Sequence, residues 1–216
     1  MDILLIRHGD PDYTNDTITP TGRRQAELLS RHLLDAGITH LYCSPMGRAR
    51  DTLRPTAEKL GLPHTVLPWL RELNGCYDGK HWCWSLPGAE SLDLPQVPDA
   101  STWHTFEPYG PHMQKVQDEL GQQFDAFLAQ LGYVREGLRY RVECESRDVL
   151  AFFCHAGLSL TLLGYLFRWP LQLVYSHLSY DPTGVTRLTW ETWQGYAVPR
   201  AKTINDLAHL ARPGTE

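Results

Sequence analysis

Three short polar motifs contain two arginines and two histidines, and each motif follows a run of apolar residues. The motifs are Arg7-His8-Gly9, Ser44-Pro45-Met46-Gly47-Arg48 and His155-Ala156-Gly157. Arginine guanidinium groups match the oxygens of a phosphoryl group through paired hydrogen bonds. A neutral histidine whose second ring nitrogen is held in place can attack phosphorus. Where these motifs meet, their residue types therefore predict a cationic pocket for phosphoryl transfer.

Such a reaction also needs a proton for the departing alkoxide, so a carboxylic acid must lie near the pocket. Glu72, in the run Leu70-Arg71-Glu72-Leu73-Asn74-Gly75, is the residue that we predict for this role. Asp78 and Glu90 are two other acids that the sequence leaves open as alternatives.

Alternating strands and helices are needed to bring the three motifs together. Residues 3–6 and 149–154 are short apolar runs, which are typical of strands buried on both faces, and residues 39–43 are predicted to form a further short strand. Helices are predicted to start at Thr19-Pro20 and Ser44-Pro45, where a hydroxyl can cap and proline loses no hydrogen bond. This alternation predicts an α/β three-layer sandwich with a mostly parallel central sheet and helices on both faces. In such sheets the active site lies beyond the carboxyl ends of the strands.

The middle of the chain departs from this alternation. Residues 80–112 are rich in proline and poor in aliphatic side chains, which predicts a loop-rich insertion near the active site. Its aromatic residues are interpreted as local packing, and they would narrow and dry the pocket where the insertion covers it. Residues 113–147 are predicted to form a helix and a hairpin, and 185–189 a further strand. The whole chain, 1–216, is predicted to be one domain. The aromatic residues in question are Trp82, Trp84, Trp103 and Tyr109.

The composition excludes several classes of partner. The net charge of -5 is mild and the arginines are scattered, so no surface for nucleic acid or for an anionic membrane is predicted. Five cysteines without paired spacing argue against a disulfide framework and a zinc site. Asp2 and the short first apolar run do not fit a signal peptide, which predicts a cytoplasmic protein. Whether the chain forms a homodimer stays open.

Five motifs occur in order along the chain: Arg7-His8-Gly9, Thr19-x-x-Gly22-x-x-Gln25-Ala26, Ser44-Pro45-x-x-Arg48-Ala49-x-x-Thr52, Leu70-x-Glu72 and His155-Ala156-Gly157. This set resembles the histidine phosphatase superfamily, the phosphoglycerate mutase-like group, and in particular its cofactor-independent phosphatase branch. The resemblance covers residues 3–79 and 149–168 and says little about the segment between them.

The resemblance implies a role for each site residue. His8 would be the nucleophile that carries the phosphoryl group. Glu72 would protonate the leaving oxygen and then take a proton from the attacking water. Thr14 stands where many members have an asparagine that contacts phosphate, and it is the further substrate-binding residue. No cofactor or metal is implied, and the partner would be a small phosphorylated metabolite. The residues that would bind the phosphoryl oxygens are Arg7, Arg48 and His155.

Three other functions stay open beside the predicted hydrolysis of phosphate monoesters. A mutase would return the phosphoryl group to its substrate, and it needs further cations for a second anion; residues 73–79 contain none. A metallohydrolase would use His8, Asp10 and His155 as ligands, but two arginines nearby would repel the metal ion. A non-catalytic module that binds phosphorylated ligands would be expected to have lost the nucleophile or the acid.

Overall fold

A sheet of eight strands crosses the computed structural model, which describes residues 1–211, and a two-stranded ribbon lies beside it. Within residues 1–211 the strands are β1 (Asp2–Arg7), β2 (Pro11–Asp12), β3 (Thr17–Ile18), β4 (His40–Cys43), β5 (His64–Val66), β6 (Tyr133–Glu136), β7 (Arg139–Val142), β8 (Val149–Cys154), β9 (Val185–Trp193) and β10 (Tyr196–Asp206). The helices of the same region are α1 (Pro20–His32), α2 (Gly47–Leu60), α3 (Gly88–Ser91), α4 (Gly110–Gln130), α5 (Ala156–Phe167) and α6 (Leu171–His177). None of these helices is both long and apolar enough to cross a membrane.

The order of strands in the large sheet is β5-β4-β8-β1-β9-β10-β7-β6. The strands from β5 to β1 pair in parallel, and those from β1 onwards to β6 pair antiparallel. The predicted α/β sandwich, with helices on both faces of a central sheet, is confirmed. Its parallel half contains all three strands that precede the polar motifs, so those motifs lie at one edge of the sheet.

Different helices cover the two faces of the parallel half. Leu4 and Ile6 of β1 pack with apolar side chains of α1 and α2. Ile3 and Leu5 of the same strand pack with side chains of α4, α5 and α6. Because successive side chains of a strand point to opposite faces, β1 must be apolar at every one of these positions. The continuous apolar run at the start of the sequence is the consequence.

The helices that follow β1 and β4 begin in different ways. Thr19 caps α1 as predicted, because its hydroxyl accepts a hydrogen bond from Gly22 N at 3.1 Å. The predicted cap of α2 by Ser44 is wrong. That helix begins at Gly47, and its N-cap residue is Met46, which makes no side-chain cap hydrogen bond. The Ser44 hydroxyl instead accepts a hydrogen bond from the backbone N of Met46, at 3.2 Å.

Residues 80–109 consist of loops and short turns, and their longest helix is the single turn of α3; α4 begins at Gly110, three residues before its predicted start. Trp103 and Tyr109 are buried, and Tyr109 OH lies 2.7 Å from Ser91 Oγ. These two aromatic side chains pack locally, as predicted. The predicted helix and hairpin that follow are α4 and the pair β6–β7.

The largest element that the sequence did not predict is β10, a strand of 11 residues. It pairs with β9, which continues beyond the predicted range 185–189. Pro199 lies inside β10, and residues 200–203 are all exposed, so this part of the strand shows no alternation of buried and exposed side chains. These features are atypical of a strand, and for this reason the sequence pattern did not predict β10.

Candidate active site

The carboxyl ends of β1, β4 and β8 place the three polar motifs side by side. β8 lies between the other two strands, and backbone hydrogen bonds continue for one residue beyond them. His8 N donates to Cys154 O at 3.0 Å, and Ser44 N donates to Phe153 O at 2.9 Å. His155, the first residue after β8, is therefore held between the other two motifs, and its ring centroid lies 5.2 Å from that of His8. We call this set the inner pocket: Arg7, His8, Ser44, Arg48 and His155.

His8 is held as a neutral imidazole with one ring nitrogen free. Its Nδ1 lies 2.8 Å from Gly9 O, which can only accept a hydrogen bond, so Nδ1 carries the hydrogen. Burial lowers the pKa of His8 to about 3, and the positive charges of Arg7 and Arg48 act in the same direction. The lone pair of Nε2 is therefore unprotonated at neutral pH, as attack on phosphorus requires.

His155 is completely buried, and burial lowers its pKa to about 2. Its Nε2 lies 2.8 Å from Ser44 Oγ, a contact that sequence reasoning missed. One signal was present: Ser44, like His8 and His155, is the first residue after a buried strand. The Nδ1 of His155 is buried and finds no hydrogen-bond partner within residues 1–211.

Arg7 and Arg48 bring positive charge and unpaired donors to the inner pocket. Arg7 is anchored by a hydrogen bond from Nη1 to Tyr180 O. Arg48 is anchored by an ion pair from Nη1 to Asp16 Oδ1 at 2.7 Å. The Nε atoms of both arginines are buried, and neither has a hydrogen-bond partner in the described part of the chain. Because buried donors in folded proteins are nearly always hydrogen-bonded, these nitrogens indicate a binding site for an anion.

The motif from Thr19 to Gln25 supports the loop after His8 from outside the inner pocket. Gly9 and Gly22 lie in backbone contact, since a Cβ atom on Gly9 would be 2.8 Å from Gly22 O. Gln25 Oε1 accepts a hydrogen bond from Asp10 N at 2.8 Å, and Thr19 Oγ1 donates to Asp10 Oδ2 at 2.6 Å. The small residues of the motif therefore allow the close approach, and its polar residues fix the loop.

The alternative metal site, with His8, Asp10 and His155 as ligands, is not assembled. The Asp10 carboxylate is bound to Thr19 instead and does not line the cavity beside His8. Across residues 1–211, no group of three or more histidine, cysteine, aspartate or glutamate side chains is placed to hold a metal ion.

Glu72 reaches the first turn of α5 with its carboxylate. Its Oε2 accepts a hydrogen bond from Gly157 N at 3.2 Å, and its Oε1 accepts one from Leu158 N at 2.9 Å. Burial raises the pKa of Glu72, and these backbone N–H groups oppose that rise. A raised pKa suits a carboxyl group that must carry a proton before it donates one. Glu72 and His8 line the same cavity.

The two alternative acids have different surroundings. Asp78 is exposed and accepts a hydrogen bond from His81 N at 2.7 Å. This bond and a second one to the imidazole of His81 lower the pKa of Asp78 to about 2. Glu90 is also exposed, and neither residue lines the cavity beside His8. The geometry therefore favours Glu72 as the acid.

A cavity of about 910 Å³ opens onto the inner pocket. Arg7, His8 and Arg48 form part of its wall, and the buried side chains of Ser44 and His155 lie outside this lining. Further residues also line the cavity: Tyr13, Arg71, Glu72, Leu73, Trp82, Trp84, Ser85, Tyr175 and Asp181.

Two lining residues near the predicted ones were missed by sequence reasoning. Thr14 is exposed and does not line the cavity, whereas its neighbour Tyr13 does. The guanidinium group of Arg48 lies over the Tyr13 ring, 5.4 Å from its centroid. Arg71 adds a third arginine to the cavity, and its position directly before Glu72 was the available signal.

Four residues that follow Glu72 in the sequence also line the cavity. We call them the outer wall: Leu73, Trp82, Trp84 and Ser85. The interpretation of Trp82 and Trp84 as local packing alone is therefore incomplete, because both face the cavity. Lys80 and His81, the nearest basic residues of this segment, do not line it.

One family model matches residues 3–203 of the chain, and it describes the histidine phosphatase superfamily (branch 1). Among curated proteins, a probable phosphoglycerate mutase, GpmB, of Yersinia enterocolitica is 32% identical over 83 residues, which are 34% of this chain and 39% of that protein. A protein of the same name from Yersinia pestis matches to the same extent. The chain thus matches about two fifths of the length of these relatives.

Solved structures share the fold over nearly the whole chain. A phosphoserine phosphatase variant of Entamoeba histolytica, in complex with phosphoserine, has a TM-score of 0.67 and 17% identity, with 97% of this chain and 99% of that chain covered. A mycobacterial glucosyl-3-phosphoglycerate phosphatase, in complex with VO3, has a TM-score of 0.62 and 20% identity, with 94% and 98% covered.

Proposed function

This chain belongs to the histidine phosphatase superfamily, and from that premise we propose that it hydrolyses phosphate monoesters through a phosphohistidine on His8. The observation that carries the proposal is the state of His8 itself. Its Nδ1–H is held by Gly9 O, its pKa is lowered by burial, and the buried Nε atoms of Arg7 and Arg48 have no partner within residues 1–211. A neutral nucleophile beside two guanidinium groups whose Nε–H donors have no partner in that part of the chain suits a phosphoryl group.

In the first step, the Nε2 lone pair of His8 attacks phosphorus, and the bond from phosphorus to the ester oxygen breaks. Arg7 and Arg48 stabilise the charge on the phosphoryl oxygens. His155, whose ring centroid lies 5.2 Å from that of His8, is the third residue that we assign to this role. Glu72 gives its proton to the leaving oxygen, so that an alcohol departs and a carboxylate remains.

In the second step, water attacks the phosphohistidine, and the Glu72 carboxylate takes the proton that the water loses. The bond from nitrogen to phosphorus breaks, inorganic phosphate leaves, and neutral His8 and protonated Glu72 are restored. Glu72 must be protonated in the first step and ionised in the second. Its surroundings support both states, since burial favours the protonated acid and the N–H groups of α5 favour the carboxylate.

The test is to trap the intermediate. The protein is mixed with 4-nitrophenyl phosphate, stopped in alkali because phosphohistidine is labile to acid, and digested for mass spectrometry. We expect phosphate on His8 in the wild type. The exposed His64→Ala is the matched control, and it should keep both the label and the turnover. Full turnover in His8→Ala would refute the mechanism, and binding of phosphate esters without any phosphate release would favour a non-catalytic module.

A mutase is the second candidate, because Arg71 adds a cation to the cavity that could hold a second anionic group. Against it, the outer wall presents indole rings and no base, so little is available to retain a phosphorylated product while water is excluded. We therefore expect phosphate release to exceed exchange between 2- and 3-phosphoglycerate. A coupled mutase assay beside a phosphate-release assay on the same sample distinguishes the two functions, and isomerisation faster than phosphate release would establish the mutase.

A cytoplasmic location stays a prediction of the sequence.

A further inference from the structure

Two tryptophans of the outer wall form a stacked pair at the cavity. The ring centroids of Trp82 and Trp84 are 5.4 Å apart, and their planes make an angle of 27°. Trp82 is 43% exposed, although it is a large apolar side chain that lines the cavity. The pair therefore offers an aromatic surface that the folded chain leaves partly open to solvent.

Trp84 is wedged against the parts of the chain that position the acid. A Cβ atom on Gly75 would lie 2.1 Å from Trp84 Cζ3, and one on Gly157 would lie 2.6 Å from Trp84 Cη2. Its ring also meets Tyr175 edge to face, with centroids 6.2 Å apart. Gly157 is the residue whose N–H binds Glu72, so the indole pair and the proposed proton donor share one support.

The loop that carries Trp82 is tied back on itself. Cys76 and Trp82 form an antiparallel bridge, and Cys83 N donates to Gly75 O at 2.9 Å. These contacts fix the backbone of the pair before any ligand arrives. A preformed aromatic surface binds a flat ring at a lower entropic cost than a flexible one.

Two other tryptophans differ from this pair in their position. Trp103 is 6% exposed and belongs to the core, and Trp193, which is 78% exposed, does not line the cavity. The cavity volume of about 910 Å³ lies within the range of pockets that enclose a ligand with a ring system. A compact polar ester would leave the indole pair in contact with water.

We propose that the preferred substrates are phosphate monoesters whose alcohol carries a flat aromatic ring, which stacks on the Trp82–Trp84 pair while the phosphoryl group occupies the inner pocket. The placement of the phosphoryl group in the inner pocket rests on the proposed function. The binding of the aromatic ring rests on the stacked pair, its exposure and its place in the cavity, and this binding can be tested without turnover.

The experiment measures binding of phosphonates, whose carbon–phosphorus bond cannot be hydrolysed. Calorimetry compares 2-phenylethylphosphonate with ethylphosphonate and with 2-cyclohexylethylphosphonate, which is apolar but not flat. We expect the phenyl compound to bind roughly fivefold to hundredfold more tightly than the ethyl compound, and more tightly than the cyclohexyl compound. Equal affinities for the phenyl and cyclohexyl compounds would overturn the assignment of a flat ring.

Variants of Trp82 test whether the preference for the phenyl compound arises at the outer wall. Trp82→Ala should bring the ratio of phenyl to ethyl affinity close to one, and Trp82→Phe should restore part of it because a flat ring returns. Trp193→Ala is the matched control and should leave the ratio as in the wild type. A ratio that is unchanged in Trp82→Ala would overturn the inference, since the preference would then come from elsewhere.

Hydrolysis of 2-phenylethyl phosphate and ethyl phosphate is followed on the same samples, because it separates the two proposals. An aromatic preference in binding without phosphate release would refute the proposed function and support the aromatic site. Release of phosphate from both esters at equal kcat/KM, with equal phosphonate affinities, would support the proposed function and refute the aromatic site.

Discussion

The inner pocket and the outer wall meet in one cavity, but the chain builds them differently. The side chains of the inner pocket come from the ends of β1, β4 and β8 and from the first turn of α2, and backbone ladders fix those strands against each other. The outer wall comes from a loop that is held by the bridge between Cys76 and Trp82 and by the packing of Trp84 against Gly75 and Gly157. Charge is concentrated in the first region and aromatic surface in the second.

This difference indicates a division of labour. Groups on rigid strand ends can hold the reacting atoms within narrow limits, whereas a loop can change its side chains without disturbing the sheet. Substitutions in the inner pocket should therefore act mainly on the chemical steps. Substitutions in the outer wall should act mainly on which esters bind. Variants of the two regions test this separation.

Removal of the nucleophile should have the largest effect. His8→Ala should lower kcat by roughly 10⁴–10⁶-fold on every phosphate ester, because His8 is the proposed acceptor of the phosphoryl group. The loss should be the same for aryl and alkyl esters, as both pass through the phosphohistidine. Phosphate release at saturating substrate measures it. A loss confined to one class of ester would break the separation between pocket and wall.

Glu72 should give the next largest effect, and one that depends on the leaving group. Glu72→Gln should lower kcat/KM for ethyl phosphate by about 10²–10⁴-fold, because an alkoxide needs a proton to depart. It should lower kcat/KM for 4-nitrophenyl phosphate far less, since that phenolate leaves unaided and kcat/KM does not include the later attack of water on the phosphohistidine. Asp78→Asn is the matched control and should slow neither ester. Equal losses on both esters in Glu72→Gln would indicate that the residue only supports α5.

The pH dependence sharpens this test. Because the pKa of Glu72 is raised, the proton donor is lost as the pH rises through that pKa. The ratio of ethyl to 4-nitrophenyl turnover should therefore fall with rising pH in the wild type and stay flat in Glu72→Gln. Taking the ratio removes most of the effect of ionisation of the substrate phosphate. A falling ratio in the variant would assign the proton to another group.

The same division explains what could be read from the sequence. Arg7, His8 and His155 follow continuous apolar runs, and such runs predict buried strands whose ends converge at one edge. Ser44 was assigned to a helix cap because a hydroxyl before proline suits that role as well, and only the geometry places it beside His155. Side-chain type alone did not separate the two possibilities.

The outer wall could not be predicted in this way. Trp82 and Trp84 carry no periodic pattern, and their loop is positioned by contacts with residues distant in sequence, such as Gly157 and Tyr175. The same reason applies to β10, whose pairing with β9 overrides the proline and the charged residues within it. Propensity is a local property, whereas these elements are fixed by tertiary contacts.

Asp16 should give a smaller effect, through the arginine that it holds. Its carboxylate accepts hydrogen bonds from Gly47 N and from Arg48 Nη1, both at 2.7 Å. Burial acts to raise the pKa of Asp16, but these bonds lower it overall. Asp16→Ala frees the Arg48 side chain and should lower kcat/KM by about tenfold.

Two companion variants show whether position or charge matters. Asp16→Asn keeps one oxygen that can accept from Arg48, but its NH2 group replaces the oxygen that accepts from Gly47 N, so its kcat/KM should lie between those of the wild type and of Asp16→Ala. Asp12→Ala, on the same loop, removes a carboxylate that binds Asn15 and does not line the cavity, so it should have no effect. If Asp16→Asn is as impaired as Asp16→Ala, the charge of the pair matters and not the position of the guanidinium.

The smallest effect concerns stability and arises from the burial of a neutral histidine in the inner pocket. His155 is completely buried, and burial lowers its pKa to about 2. In the unfolded chain a histidine binds a proton below about pH 6.5. Between these two values only the unfolded chain binds the proton, so the free energy of unfolding should fall as the pH falls. The contribution is about 1.4 kcal/mol per pH unit for one such group.

His155→Gln removes this contribution, so the free energy of unfolding should depend less steeply on pH between about 6 and 4.5 than in the wild type. Urea unfolding at several pH values measures the slope, in buffers without phosphate because a bound anion would stabilise the folded state. Glu72 and His8 titrate in both proteins, and their effects cancel in the difference. The exposed His64→Gln controls for loss of a histidine as such and should keep the wild-type slope. Parallel curves for His155→Gln and the wild type would mean that His155 takes up a proton in the folded chain, and the inner pocket would then bind its anion with a charged imidazole.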